Sequence, residues 1–134
     1  MNREEIKNII PHREPMLLID EAELVGGDEC RGSYTVSGGE WFLNGHFPGN
    51  PVVPGVIQCE MAAQCCSVLF KGMLEGKLAL FAGINNVKFK RIVLPGDTLE
   101  FNCRKVKERH PFYFVKATAM VKGQICIALT DAEK

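Results

Sequence analysis

The sequence predicts an α+β domain in which an antiparallel sheet of about six strands wraps one long central helix. Between Pro54 and Phe70 the stretch "PGVIQCEMAAQCCSVLF" is apolar on nearly every side, so a helix there must be surrounded by other elements. Strand-like segments with one dry side follow. Leu99, Phe101 and Cys103 alternate with Glu100, Asn102 and Arg104, while Tyr113, Val115, Ala117, Ala119 and Val121 share one face. At 134 residues the chain has room for one domain with a real core, spanning residues 1–134.

Taken in order, Arg3 to Ile10 is expected to form one or two helical turns closed by Pro11, because a residue preceding proline is pushed out of the helical region. "MLLIDEAELV" and "ECRGSYTV" read as a hairpin split by Gly26, Gly27 and Asp28. From Ser37 to Pro54 glycines and prolines impose an irregular loop, the kind of segment that carries function. Pro54 suits the first helical turn, and the helix is expected to run to Phe70 or Lys71, on the order of 25 Å. "LALFAGINNVKF", "TLEFNCRKV", "PFYFVKATAMV" and "QICIALTDA" complete the strands, with turns at "LPGD" and "KG".

Composition excludes several classes. Sixteen basic residues balance sixteen acidic ones, leaving no global field for nucleic acid or an anionic membrane. The charged N-terminus and the lack of a long apolar run predict a soluble, cytoplasmic protein without a membrane span. The six cysteines include no CxxC pair, and they read as reduced, buried thiols rather than as disulfides or a zinc site. Nucleophile-elbow, P-loop and dinucleotide-binding fingerprints are all missing.

One residue breaks the apolar helix. An ionised carboxylate there bears a desolvation cost, so Glu60 should be paired with a basic residue from a strand, face a cavity, or hold a proton. His46, in the loop "NGHFPGNP" that leads into the helix, could act with it as an acid–base pair. Gln64, one turn beyond Glu60, can orient the carboxyl group. Backbone N–H groups near Gly55 and Val56 at the helix start could receive an oxyanion. His12 in "PHREP" and His110 in "ERHPF" read as turn histidines. Lys88, Lys90 and Arg91, and the run Arg104, Lys105 and Lys107, could meet an acidic partner or simply be solvated strand faces.

The blocks "PHREPMLLID", "GHFPGNPVVPGVIQCEMAAQ" and "FAGINNVKFKRIVLPGD", in this order, cover nearly the whole chain and resemble the 3-hydroxyacyl-[acyl-carrier-protein] dehydratases of bacterial type II fatty acid synthesis, the FabZ family. The resemblance implies a hot-dog fold, a homodimer commonly assembled into a trimer of dimers, and no metal or organic cofactor. It implies that His46 is the catalytic base and Glu60 the catalytic acid, meeting from different subunits. It further implies that the Val52 carbonyl orients His46, that the Gly55 N–H, beside Val56, receives the thioester carbonyl, and that Gln64 holds Glu60. Phe47 and Phe81 would line the acyl tunnel together with aliphatic residues. Apart from the resemblance, the basic cluster Lys88, Lys90 and Arg91 is the candidate for docking the acidic acyl carrier protein.

Two departures stand out. Leu80 occupies the place where many members carry a tyrosine, which puts tyrosine gating of the tunnel in doubt, and Met16 replaces a common phenylalanine. Glutamate rather than aspartate at position 60 favours this family over the sister dehydratase that also isomerises trans-2 to cis-3 enoyl chains. The same residues are also compatible with a hot-dog acyl thioesterase or with a catalytically silent acyl-binding subunit. The His46 loop argues against the first of these, and the intact His46, Gly55 and Glu60 set against the second.

Overall fold

A computed structural model describes residues 1–70, 83–109 and 112–133 of the chain. In chain order the elements are α1 (Arg3–Ile6), β1 (Glu21–Leu24), β2 (Glu29–Thr35), a 3-10 turn (Trp41–Leu43), α2 (Gly55–Cys66), a second 3-10 turn (Ser67–Phe70), β3 (Gly83–Phe89), β4 (Thr98–Arg109), β5 (Phe112–Val121) and β6 (Gln124–Glu133). The strands form one six-stranded sheet in the order β1-β2-β4-β5-β6-β3, and every described pairing is antiparallel. This is the hot-dog arrangement, with α2 packed against β2, β4 and β5.

The period-2 pattern sets the inner face of the sheet. Leu99, Phe101 and Cys103 are buried while Glu100, Asn102 and Arg104 face solvent, and Val115, Ala117, Ala119 and Val121 are buried beside them on β5. Met61, Ala62, Cys65 and Cys66 of α2 close the core from the other side. Fully burying a side chain such as Leu99 or Phe101 contributes about 1.5–3 kcal/mol, so this layer is the main source of stability. The side chain of Tyr113 falls outside the described residues.

Several expected boundaries shift. The N-terminal helix ends at Ile6 rather than Ile10. Asn2 and Glu5 close a reciprocal capping box at its start, and tight turns carry the chain on to Ile10. The α-helical part of the central helix stops at Cys66, followed by one 3-10 turn to Phe70. At that junction the Ser67 hydroxyl donates back to the Ala63 carbonyl at 3.0 Å, the local bonding that bends a helix. The helix is also less enclosed than its composition implies: Val56 is 76% exposed, so the wrapping fails along one edge near its start.

The first strand is shorter than expected for a different reason. Leu17, Leu18 and Ile19 are all buried, a run that cannot alternate, and the backbone on either side of Leu17 is bonded by a side chain instead of a neighbouring strand. That side chain is Gln64. All six cysteines are buried, as their apolar context implies. No helix among the described residues is long and apolar enough to cross a membrane.

Candidate active site

The loop before α2 is built by glycine and proline. In "FPGN" the Phe47 and Asn50 backbones bond reciprocally at 3.1 and 2.9 Å, with Pro48 and then Gly49, at φ +76°, in the two central positions. That is a turn which requires a residue tolerant of positive φ after the proline. The Val52 N–H donates to the His46 carbonyl at 2.9 Å and so brings the loop back beside the histidine. On this frame His46 Nδ1 lies 3.0 Å from the Val52 carbonyl oxygen. A carbonyl only accepts, so the Nδ1 proton is fixed, and in the neutral ring the lone pair sits on Nε2. The Phe47 ring stacks on the imidazole at 4.2 Å.

Next along the chain, α2 opens with Pro54 as its N-cap and Gly55 as its first residue. The N–H groups of Ile57 and Gln58 both donate to the Pro54 carbonyl, whereas those of Gly55 and Val56, the first two helical residues, have no acceptor within the helix. Gly55 has a structural reason of its own: a Cβ there would lie 2.8 Å from the Phe89 ring. The space its Cβ would take is thus occupied by Phe89.

Glu60 projects from α2 about one and a half turns later, with 24% of its side chain exposed. Its Oε2 accepts a 2.9 Å hydrogen bond from Gln64 Nε2. Gln64 is itself completely buried: Nε2 also donates to the Met16 carbonyl at 2.8 Å and Oε1 accepts from the Leu18 N–H at 2.7 Å. The second group at the carboxylate is His12, whose Nε2 stands 3.6 Å from Glu60 Oε2. His12 therefore does not serve only its own turn, as "PHREP" implies. Its only signal in the sequence is that the same block continues into "MLLID", the backbone that Gln64 grips. No strand Lys or Arg among the described residues pairs with Glu60. Nor does His46 pair with Glu60 within the chain.

A histidine with an oriented free nitrogen, bare N–H groups at a helix start and a carboxyl group held by an amide are the parts needed to move a proton from carbon and assist a leaving hydroxyl. The comparisons agree. The chain matches the ApeI-like family, described as ApeI dehydratase, over residues 22–126. It is 46% identical to the 3-hydroxyacyl-[acyl-carrier-protein] dehydratase FabZ of Clostridium beijerinckii, covering 96% of this chain and 94% of that one. The chain belongs to the FabZ dehydratase family.

The FabZ of Saccharophagus degradans is 42% identical over 97% of this chain and 94% of its own. Among solved structures the ApeI:P dehydratase heterocomplex of Xenorhabdus doucetiae matches with a TM-score of 0.68 at 21% identity, covering 87% of this chain and 96% of that one. The PaaI protein of E. coli matches with a TM-score of 0.65 at 14% identity, over 84% and 80%. At these identities the two structures establish the shared fold.

In this chain the remaining sequence-derived sites divide by location. Lys88 and Lys90 are exposed at the end of β3, whereas Arg91 is half-buried, and its guanidinium donates to the Val121 carbonyl at 3.3 Å and to Gln124 Oε1 at 2.9 Å. Arg91 thus ties the β5–β6 turn and is not a free surface cation. Phe47, Val56 and Phe89 form exposed apolar surface around the start of α2. Leu80 and Phe81 lie outside the described residues.

Proposed function

We propose that His46 and Glu60 are the base and acid with which this chain dehydrates (3R)-3-hydroxyacyl-[acyl-carrier-protein] to the trans-2-enoyl thioester in fatty acid biosynthesis. The single observation that carries the assignment is the bond from His46 Nδ1 to the Val52 carbonyl, which leaves Nε2 as a proton acceptor of fixed direction. Nε2 removes a proton from C2 of the substrate. The Gly55 N–H steadies the enolate oxygen that develops on the thioester. Glu60, held by Gln64, gives a proton to the C3 hydroxyl, which departs as water.

Because His46 and Glu60 do not pair within one chain, the working site joins His46 of one subunit to Glu60 of a second in a homodimer, three of which form a hexamer. The exposed Phe47, Val56 and Phe89 surface and the open edge of α2 support this reading: a second chain covering them would complete the enclosure of Glu60. Phe47 then lines the acyl tunnel. Lys88 and Lys90 dock the acidic carrier protein, with Arg91 in a supporting structural role.

The test is incubation of the purified protein with 3-hydroxybutanoyl carrier protein and mass analysis of the thioester. Loss of one water supports the reading. Release of free acid would instead make the chain a thioesterase, and an unchanged thioester would make it a silent acyl-binding subunit.

A further inference from the structure

We propose that Cys30, Cys65 and Cys103 form a binding site for a soft monovalent metal ion, Cu(I), inside the core. The three thiols arrive from three elements. Cys30 and Cys103 are direct partners across β2 and β4, and Cys65 descends onto them from α2. Their sulfur atoms all lie within 4.8 Å of one another, and the Cys30 and Cys65 sulfurs are 4.0 Å apart. Three sulfurs arranged around a metal at the usual metal–thiolate distance of about 2.3 Å stand about 4.0 Å from each other, so sub-ångström shifts complete the ring.

The packing holds this arrangement in place. A Cβ at position 32 would fall 2.7 Å from Cys65 Sγ, so Gly32 on β2 leaves the space that the Cys65 thiol occupies. All three side chains are fully buried. Among the described residues no imidazole or carboxylate joins them, so the donor set is sulfur alone. Zn2+ at a structural site takes four ligands, whereas Cu(I) is selected by soft sulfur and does not need a fourth.

The electrostatics favour an ion that replaces a proton. Cys30 Sγ donates to the Cys65 carbonyl oxygen at 3.2 Å and stands 4.0 Å from Cys65 Sγ, so a displaceable thiol proton lies inside the cluster. Exchange of one thiol proton, released to solvent, for one Cu(I) leaves the net charge of the core unchanged and adds no burial penalty of the kind an extra ion would bring. Copper enters and remains as Cu(I), so no electron is transferred.

The experiment is an anaerobic titration of the full chain with Cu(I) held by a chromogenic chelator, repeated with Cys65→Ala, Cys103→Ala and, outside the cluster, Cys59→Ala. One Cu(I) per chain should be withdrawn from the chelator, with at least about tenfold weaker binding in both cluster variants and unchanged binding in Cys59→Ala. Should the cluster variants not fold, two measurements on the wild-type chain decide. X-ray absorption should show copper bound by sulfur only, at about 2.3 Å, and the melting temperature should rise with Cu(I) because the site exists only in the folded chain. Nitrogen or oxygen ligands, a falling melting temperature, equal binding in all variants, or no uptake would each overturn the proposal.

Discussion

Gln64 donates one hydrogen bond to Glu60 Oε2 at 2.9 Å while its remaining polar capacity is used by the backbone of Met16 and Leu18. Candidate catalytic carboxylate and fold are thus fastened by the same buried amide. Gln64→Met, close in volume, would leave the Leu18 N–H and Met16 carbonyl without their partner and Glu60 without its anchor. The expected cost is about 2–4 kcal/mol of stability, from two polar groups left unsatisfied, together with a fall in kcat of about tenfold from lost orientation. Urea unfolding and steady-state kinetics on the same preparation separate the two effects. An unchanged kcat would show that Gln64 serves the fold alone.

His12 approaches the same oxygen, but at 3.6 Å and with both side chains about a quarter exposed. That distance is an ion-pair contact rather than a hydrogen bond, and such partly exposed pairs are worth about 0.2–1 kcal/mol. His12→Ala should therefore cost about 0.2–1 kcal/mol of stability in urea unfolding in the wild-type background and nothing once Glu60→Gln is present. Equal losses in both backgrounds would place the effect of His12 elsewhere than at Glu60.

The assignment of His46 and Glu60 to different subunits has a quantitative consequence. His46→Ala and Glu60→Gln homodimers should each be inactive. When the two are unfolded, mixed in equal amounts and refolded, half of the dimers carry one chain of each kind, and each of those has one intact site. Activity should return to about one quarter of wild type. No recovery, despite mixed dimers demonstrated by a size tag on one variant, would mean that both groups act within one chain.

Glu40 supplies a pH dependence away from the site. Burial pushes its carboxyl up, but the N–H groups of Ser37 and Gly38 and the Tyr34 hydroxyl donate to it at 2.8, 2.8 and 2.9 Å, and together they hold it below the usual carboxylate range. A depressed folded pKa gives stability that is present above the unfolded value, about 4.3, and is lost as the pH falls through the lower folded value. Glu40→Gln should melt below wild type at neutral pH, and the two melting curves should converge as the pH drops below about 4. A constant gap across that range would assign the loss to shape rather than charge.

How much of this molecule is legible in its sequence depends on whether the deciding interaction is local. The inner face of the sheet follows from alternation at Leu99, Phe101 and Cys103, and the Glu60–Gln64 bond from one turn of helical spacing, both properties of neighbouring residues. The bond between Val52 and His46 comes only through resemblance to a family, since nothing in "GHFPGNPV" states how far its turn folds back. His12 reads as a plain turn residue because its contact with Glu60 spans 48 positions and depends on how α2 packs beside the segment before β1. The end of the apolar helix escapes the sequence because a serine hydroxyl, not a proline or glycine, tightens it.

The relation between Gly55 and Phe89 is equally hidden, and it makes a distinct prediction. A methyl group at position 55 would meet three atoms of the Phe89 ring, the nearest at 2.8 Å, well inside van der Waals contact. The ring is 53% exposed and belongs to the end of β3, so it can turn away from the helix start instead of forcing the backbone apart. Gly55→Ala should therefore fold, but with its displaced ring intruding on the surface where the thioester must approach the helix N–H groups. The expected result is a loss of about 1–3 kcal/mol in stability, with kcat/KM reduced about tenfold or more. Adding Phe89→Leu, which has no ring edge at that position, should restore most of the stability and part of kcat/KM. If the double variant remains as impaired as Gly55→Ala, the added methyl group itself obstructs the substrate, and the glycine is required for the thioester's approach after all.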